Sequence, residues 1–276
     1  MAYENRCFQE LAAKYQILIF DVIGVIHNGL TAYPHAVEAI NNLLAHQTVI
    51  FLSNMPRPGI QTYEKLQSLG INRPFDVLTS GHVTRHELTT TYAGQKVFHW
   101  GKDRNQDITR NLKLNLVDTI EQAEIVLLSA YILPDEDETA HEEIIEKILH
   151  HNLPVLCSNP DKTAIYEDTI RKCAGSLAHK IFIKGGNVKF MGKPAPLIYE
   201  KILQQFPHCN PSDMLMIGDT LETDIMGAIH VSMDSLLVLT GNTARDLKTA
   251  NQSLEDYLHA KDWGQYMPTY YKNDLR

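Results

Sequence analysis

Short apolar runs recur along this chain, and each stops at a polar or acidic residue. QILIF (Gln16 to Phe20) ends at Asp21, TVIFL (Thr48 to Leu52) at Ser53 and Asn54, and MLMIG (Met214 to Gly218) at Asp219. A run of that length without apolar/polar alternation suits a strand buried on both faces, the kind found in parallel sheets. Helical spacing fills the gaps. In PHAVEAINNLLAH, Val37, Ile40, Leu43 and Leu44 share one face behind Pro34, and a second helix from about Gly59 to Leu69 is stopped by Gly70. Strand and helix in alternation predict parallel strands joined by right-handed crossovers.

The middle of the chain repeats the pattern with its own strands, KVFHW (Lys96 to Trp100), EIVLLSA (Glu124 to Ala130) and PVLCS (Pro154 to Ser158), and a helix from about Asp137 to His150. After Gly185 and Gly186 the alternation resumes with a helix from Pro196 to about Gln205, the MLMIG strand, a helix after Thr223 and the strand SLLVL (Ser235 to Leu239). For 276 residues, two domains is the natural division. The expected organisation is α/β throughout: a parallel-sheet, Rossmann-like core from residues 1–79 and 186–276, interrupted by a smaller α/β cap domain over residues 80–185.

Composition excludes several function classes. The net charge is −8 with no Lys/Arg block, which argues against a surface for nucleic acid or anionic membrane and leaves small molecules as partners. No stretch approaches the roughly 18 apolar residues of a membrane span, and the N-terminal MAYENRCFQELAAK lacks a signal-peptide core, so the expected location is cytoplasmic. Cys7, Cys157, Cys173 and Cys209 form no CxxC pair and read as reduced structural thiols. His86, His99, His141, His150 and His151 lack zinc spacing and read as surface or cap residues. The acidic run DEDE (Asp135 to Glu138) reads as the solvated start of a cap helix. Self-association is left open.

Open parallel sheets bind ligands beyond the carboxyl ends of their strands, so the polar residues that follow strand runs form the candidate site. They are Asp21, Ser53 with Asn54, Lys193 in MGKP, and Asp219 with Asp224. Three carboxylates, a hydroxyl and an ammonium suit a hard cation together with a phosphate: carboxylate oxygens bind Mg²⁺, and Lys and Ser meet phosphoryl oxygens. Taken singly, Asp21 could cap a turn, Lys193 could be a loop lysine, and Asp224 could be a helix N-terminal acid.

In sequence order, FDVIGVIHNG (Phe20 to Gly29), LSN (Leu52 to Asn54), GKP (Gly192 to Pro194) and IGDTLETDI (Ile217 to Ile225) resemble the four motifs of the haloacid dehalogenase (HAD) superfamily, in its phosphatase-like branch with a class IIA cap. The resemblance spans essentially the whole chain, and NPD (Asn159 to Asp161) is similar to a segment of that cap type. It implies a Mg²⁺-dependent hydrolase of small phosphate monoesters, such as a sugar phosphate or related metabolite. Asp21 would be the nucleophile, forming an aspartyl-phosphate. Mg²⁺ would be held by Asp21, Asp219 and the backbone carbonyl of Ile23, with Asp224 orienting that shell. Ser53, Asn54 through its backbone, and Lys193 would bind the phosphoryl group. Asn159 and Asp161 would contact substrate from the cap. Arg57 resembles a basic residue that follows the second motif in relatives, and a plain loop role is the slightly stronger reading.

One residue departs from the pattern. Most phosphatases of the superfamily carry Asp-x-Asp in the first motif, the second Asp serving as general acid and base; here the third position is Ile23. Positioned acid/base catalysis contributes about 10²- to 10⁴-fold, and Ile cannot supply it. Three accounts follow. The enzyme takes substrates with good leaving groups or their own proton source, or uses His27 or Asp161 instead; or it is a catalytically weak phospho-ligand-binding protein; or it performs dehalogenation. The last needs no Mg²⁺, and the retained Asp219 and Asp224 argue against it.

Overall fold

Buried aliphatic residues form the expected strands in the computed structural model, which describes residues 2–3, 7–133, 138–166 and 169–276. The first strands are β1 (Ala2–Tyr3), β2 (Ile17–Phe20), β3 (Thr48–Ser53) and β4 (Asp76–Thr79). The middle of the chain supplies β5 (Lys96–Trp100), β6 (Asn115–Val117), β7 (Ile125–Leu128), β8 (Val155–Cys157), β9 (Thr163–Tyr166), β10 (Thr169–Lys172) and β11 (Val188–Phe190). The last are β12 (Met214–Gly218), β13 (Asp234–Val238) and β14 (Tyr270–Lys272).

The chain divides into two units, the first comprising Met1–Ser53, Thr62–Leu78 and Pro194–Arg276, the second Asn54–Gln61 and Thr79–Lys193. In the first, a seven-stranded sheet has the order β1-β14-β13-β12-β2-β3-β4. Pairing is parallel from β1 through to β3, with Phe20 opposite Phe51 on one side and Ile217 on the other. Leu18, Ile19, Phe20, Phe51 and Ile217 are fully buried, and burying a side chain of this size contributes about 1.5–3 kcal/mol. Phe20 packs edge-on against Phe8 from the N-terminal helix Phe8–Ala12 and tilted against Phe51, both at 6.0 Å between ring centres.

The second unit is a separate five-stranded parallel sheet, β11-β8-β7-β5-β6, with an antiparallel hairpin of β9 and β10. Its core gathers Val126, Leu128, Val155 and Cys157 with Ile145 and Ile148 of the helix Thr139–His150, and Leu177 and Ile181 of the helix Ala174–Ile183. Of the expected acidic run, Asp135 to Asp137 lie outside the described residues. Glu138 accepts from Lys172 and Lys180, and Glu142 from Lys180 and Lys184, so this charge is paired across elements rather than simply solvated. All four cysteines are free thiols. Burial pushes Cys173 up to about 12 and Cys157 higher still, so both remain protonated. No helix among the described residues is long and apolar enough to cross a membrane.

Candidate active site

In the first unit, β2 leads to β3 on one side while its neighbour β12 leads to β13 on the other. Adjacent strands whose connections part in this way open a crevice at their carboxyl ends, where ligands bind in open α/β sheets. Asp21 is the first residue after β2 and Asp219 the first after β12. The Asp21 amide donates to the Ile217 carbonyl at 2.8 Å, which extends the β2–β12 pairing up to the site. Asp224 follows in a π-helical turn, Leu221–Ile225, of the sort common at functional sites. Carboxylate oxygens of Asp21, Asp219 and Asp224 lie within 4.8 Å of one another.

Backbone amides fix two of these carboxylates. Asp224 Oδ2 accepts from the amides of Asp219 (3.2 Å) and Thr220 (3.1 Å), so the side chain holds the turn that carries Asp219. Asp219 Oδ2 accepts from the Asn242 amide at 2.5 Å. A Cβ on Gly24, where φ is +96°, would stand 2.3 Å from the Asp219 carboxylate carbon, and one on Gly241 2.1 Å from Oδ2. Both glycines keep room beside the carboxylate. An all-oxygen, anionic donor set with space preserved around it fits a hard divalent cation.

The neighbouring side chains differ in what they can do. Ser53 ends β3, next to β2, and is buried. Ile23 is 38% exposed, whereas Val22, Val25 and Ile26 around it are buried. His27 is buried, its Nδ1 accepts from the Gly29 amide at 2.8 Å, and burial, with the Lys65 charge adding, pushes its pKa down to about 4. It is a neutral imidazole at ordinary pH with one lone pair already engaged, so the expectation that His27 could replace the missing acid is not met.

The second unit gathers a different subset. Asn54 Nδ2 donates to Asp161 Oδ1 (2.8 Å) and to the Lys193 carbonyl (2.9 Å), while its Oδ1 accepts from the Lys193 amide (2.8 Å). Asn54 thereby clamps both backbone groups of Lys193, itself only 2% exposed. A Cβ on Gly192 would lie 2.3 Å from Asn54 Oδ1, which accounts for glycine in GKP. Asn159 Oδ1 accepts from the Asp161 amide at 3.1 Å, closing the NPD loop on itself. The Arg57 amide donates to the Met55 carbonyl, and its carbonyl accepts from Thr79 Oγ1 at 2.6 Å, as a loop residue would.

Sequence reasoning missed the segment Thr240 to Thr243. Besides the Asn242 contact, Thr240 Oγ1 donates to the Gly24 carbonyl (2.6 Å) and Thr243 Oγ1 accepts from the Leu221 amide (3.2 Å). Its signal was present: these polar residues follow the SLLVL run, as Asp21 follows QILIF. Tyr33 was missed as well. Burial, and secondarily the negative charge of Asp219, raises its pKa, so the phenol keeps its proton.

Two family models match the chain, haloacid dehalogenase-like hydrolase over residues 18–115 and HAD-hydrolase-like over residues 190–263. The acid sugar phosphatase of Staphylococcus aureus (strain USA300) is 25% identical over 244 residues, covering 86% of this chain and 92% of its own. A crystal structure of a haloacid dehalogenase-like hydrolase from Brucella suis 1330 is 27% identical, covers 99% of this chain and 100% of its own, and superposes with a TM-score of 0.82. At 23% identity and a TM-score of 0.73, the glycerol phosphate phosphatase of Mycobacterium tuberculosis, solved in complex with calcium, shares the fold over 96% of this chain and 75% of its own. The chain thus matches haloacid dehalogenase-like hydrolases at both ends and resembles them over most of its length, and it is an enzyme of the phosphatase type.

Proposed function

We propose that the protein hydrolyses small phosphate monoesters, of the sugar-phosphate or related metabolite class, through a phosphorylated Asp21. The observation that carries this is the convergence of Asp21, Asp219 and Asp224 at the point where the strand connections part. The division into a core of residues 1–79 and 186–276 and a cap of residues 80–185, of the class IIA type, belongs to the same reading, as do a cytoplasmic location and a small phosphorylated metabolite as the partner.

Asp21 attacks phosphorus with a carboxylate oxygen and the ester oxygen departs, leaving an aspartyl-phosphate; water then cleaves that acyl phosphate and restores the carboxylate. Mg²⁺, held by Asp21, Asp219 and the Ile23 carbonyl, would supply positive charge for the phosphoryl oxygens. Asp224 holds the backbone that presents Asp219. Ser53, the Asn54 amide and Lys193 hydrogen-bond the phosphoryl oxygens, where the transition state carries its charge. Asn159 acts by shaping the loop that presents Asp161 towards substrate.

The leaving group receives no proton from position 23 or from His27. Substrates whose leaving oxygen is a weak base are therefore favoured. The same fact supports a second reading, a phospho-ligand-binding protein with vestigial turnover.

Phosphate release from a panel of sugar phosphates and an aryl phosphate, with and without Mg²⁺, separates the two. Metal-dependent release that falls by about 10³-fold or more in Asp21→Asn supports the enzyme. Saturable binding of the same compounds with no release supports the binder, and release unchanged by the substitution refutes the mechanism.

A further inference from the structure

The rule that locates the carboxylates in the first unit applies again in the second. There β5 connects to β6 on one side, while its neighbour β7 connects to β8 on the other, so the loops after β5 and β7 part at their carboxyl ends. Ligands of open parallel sheets bind at such points. A cavity of about 350 Å³ lies at this position, lined by Trp100, Tyr131 and His141, by the cations Lys102 and Arg104 and by the carboxylate of Asp103, among others. Cavities that take small ligands begin at about 300 Å³. Gly101, at φ +112°, lets the two loops meet: a Cβ there would stand 2.4 Å from the Ala130 amide nitrogen.

The lining has a defined chemistry. The Arg104 guanidinium lies 4.9 Å from the Tyr131 ring centre and donates to the Tyr131 carbonyl, and Arg171 stacks on the same ring at 5.7 Å. Trp100 and His141 pack with their rings tilted by 32° and ring centres 5.7 Å apart. His99 is 94% buried. Its Nε2 meets Ser129 Oγ at 2.8 Å, while its buried Nδ1 has no hydrogen-bond partner among the described residues. Burial, with the Lys102 charge adding and Asp103 opposing, pushes this imidazole down to about 4, so it is uncharged at ordinary pH.

We propose that this cavity binds a planar aromatic anion, with the anionic group held by Lys102 and Arg104 and the ring against Trp100 and Tyr131. The chemistry is shared by nucleoside monophosphates and aromatic carboxylates. None of the lining residues takes part in the proposed hydrolysis, so the site stands whether or not that reading holds.

Trp100 reports on it directly. The chain has two tryptophans, and Trp263→Phe leaves Trp100 as the sole indole. In that background, in EDTA so that no turnover intervenes, AMP, benzoate and inorganic phosphate are titrated against tryptophan fluorescence. The expected result is a saturable change with AMP or benzoate, the stronger of the two naming the source, and none with phosphate alone. Lys102→Ala and Arg104→Ala should each weaken binding by about tenfold or more. Lys102 is 58% exposed at its side chain, so its replacement leaves folding undisturbed. Asp21→Asn should bind as before. Three outcomes overturn the proposal: no saturable change with either aromatic anion, an equal change with phosphate alone, or a change that survives both basic substitutions or disappears in Asp21→Asn.

Discussion

At the scale of single residues, Ile23 decides what kind of phosphatase this can be. Its 38% exposure, in a loop whose other apolar members are buried, means that core packing does not demand an isoleucine there. Replacement by a carboxylate should therefore cost little stability, because the new charge stays hydrated. Ile23→Asp is expected to raise kcat/KM for alkyl phosphates, whose leaving oxygen needs a proton, by about 10²-fold, and to change aryl phosphates much less. The ratio of the two rates is the measurement. A folded variant showing no gain on alkyl esters would refute the idea that the missing acid limits the rate.

At the scale of elements, the turn after β3 and the GKP loop act as one piece because Asn54 holds Lys193 by both backbone groups. Asn54→Ala strands these buried groups at a cost of about 2–4 kcal/mol. It should lower kcat by tenfold or more while Mg²⁺ affinity, measured by calorimetric titration, stays unchanged, since the three carboxylates lie on other elements. Asn54→Asp keeps the acceptor for the Lys193 amide but sets a second carboxylate against Asp161, so it should recover part of the melting temperature and little of the rate. An Asn54→Ala enzyme with full kcat would remove Asn54 from any positioning role. The same elements show what a sequence can reveal. QILIF, TVIFL and MLMIG were readable as strands because all their apolar side chains are buried, and Asp21, Ser53 and Asp219 were readable because they end those runs. β4, β6 and β14 are three or four residues long with polar or half-buried members, so they leave no periodicity to detect. The helix expected after Thr223 begins as a π-helical turn because Asp224 folds back onto the amides of Asp219 and Thr220, a choice made by one side chain rather than by propensity.

At the scale of the whole molecule, each unit carries a buried histidine that folding keeps neutral, His27 in the first and His99 in the second. Burial pushes both down to about 4 from an ordinary value of 6.5. Between those values the unfolded chain binds protons that the folded chain refuses, so unfolding is favoured as pH falls. The stability these sites contribute is complete above about pH 6.5 and is lost progressively down to pH 4, by about 2–3 kcal/mol for each histidine. The lowered Glu138 and Glu142 act only further down, below their ordinary value of 4.5, so they cannot account for a loss that starts near 6.5. Thermal unfolding between pH 8 and 4 should show a melting temperature that is level above pH 7 and falls below 6.5. Asn at position 27 can still accept from the Gly29 amide, and Gln at position 99 can still meet Ser129, without either taking up a proton. His27→Asn and His99→Gln should each remove about half of the fall, and the double variant should hold its melting temperature nearly constant down to pH 5. A double variant that loses stability as steeply as the natural protein would show that the acid sensitivity resides in other groups.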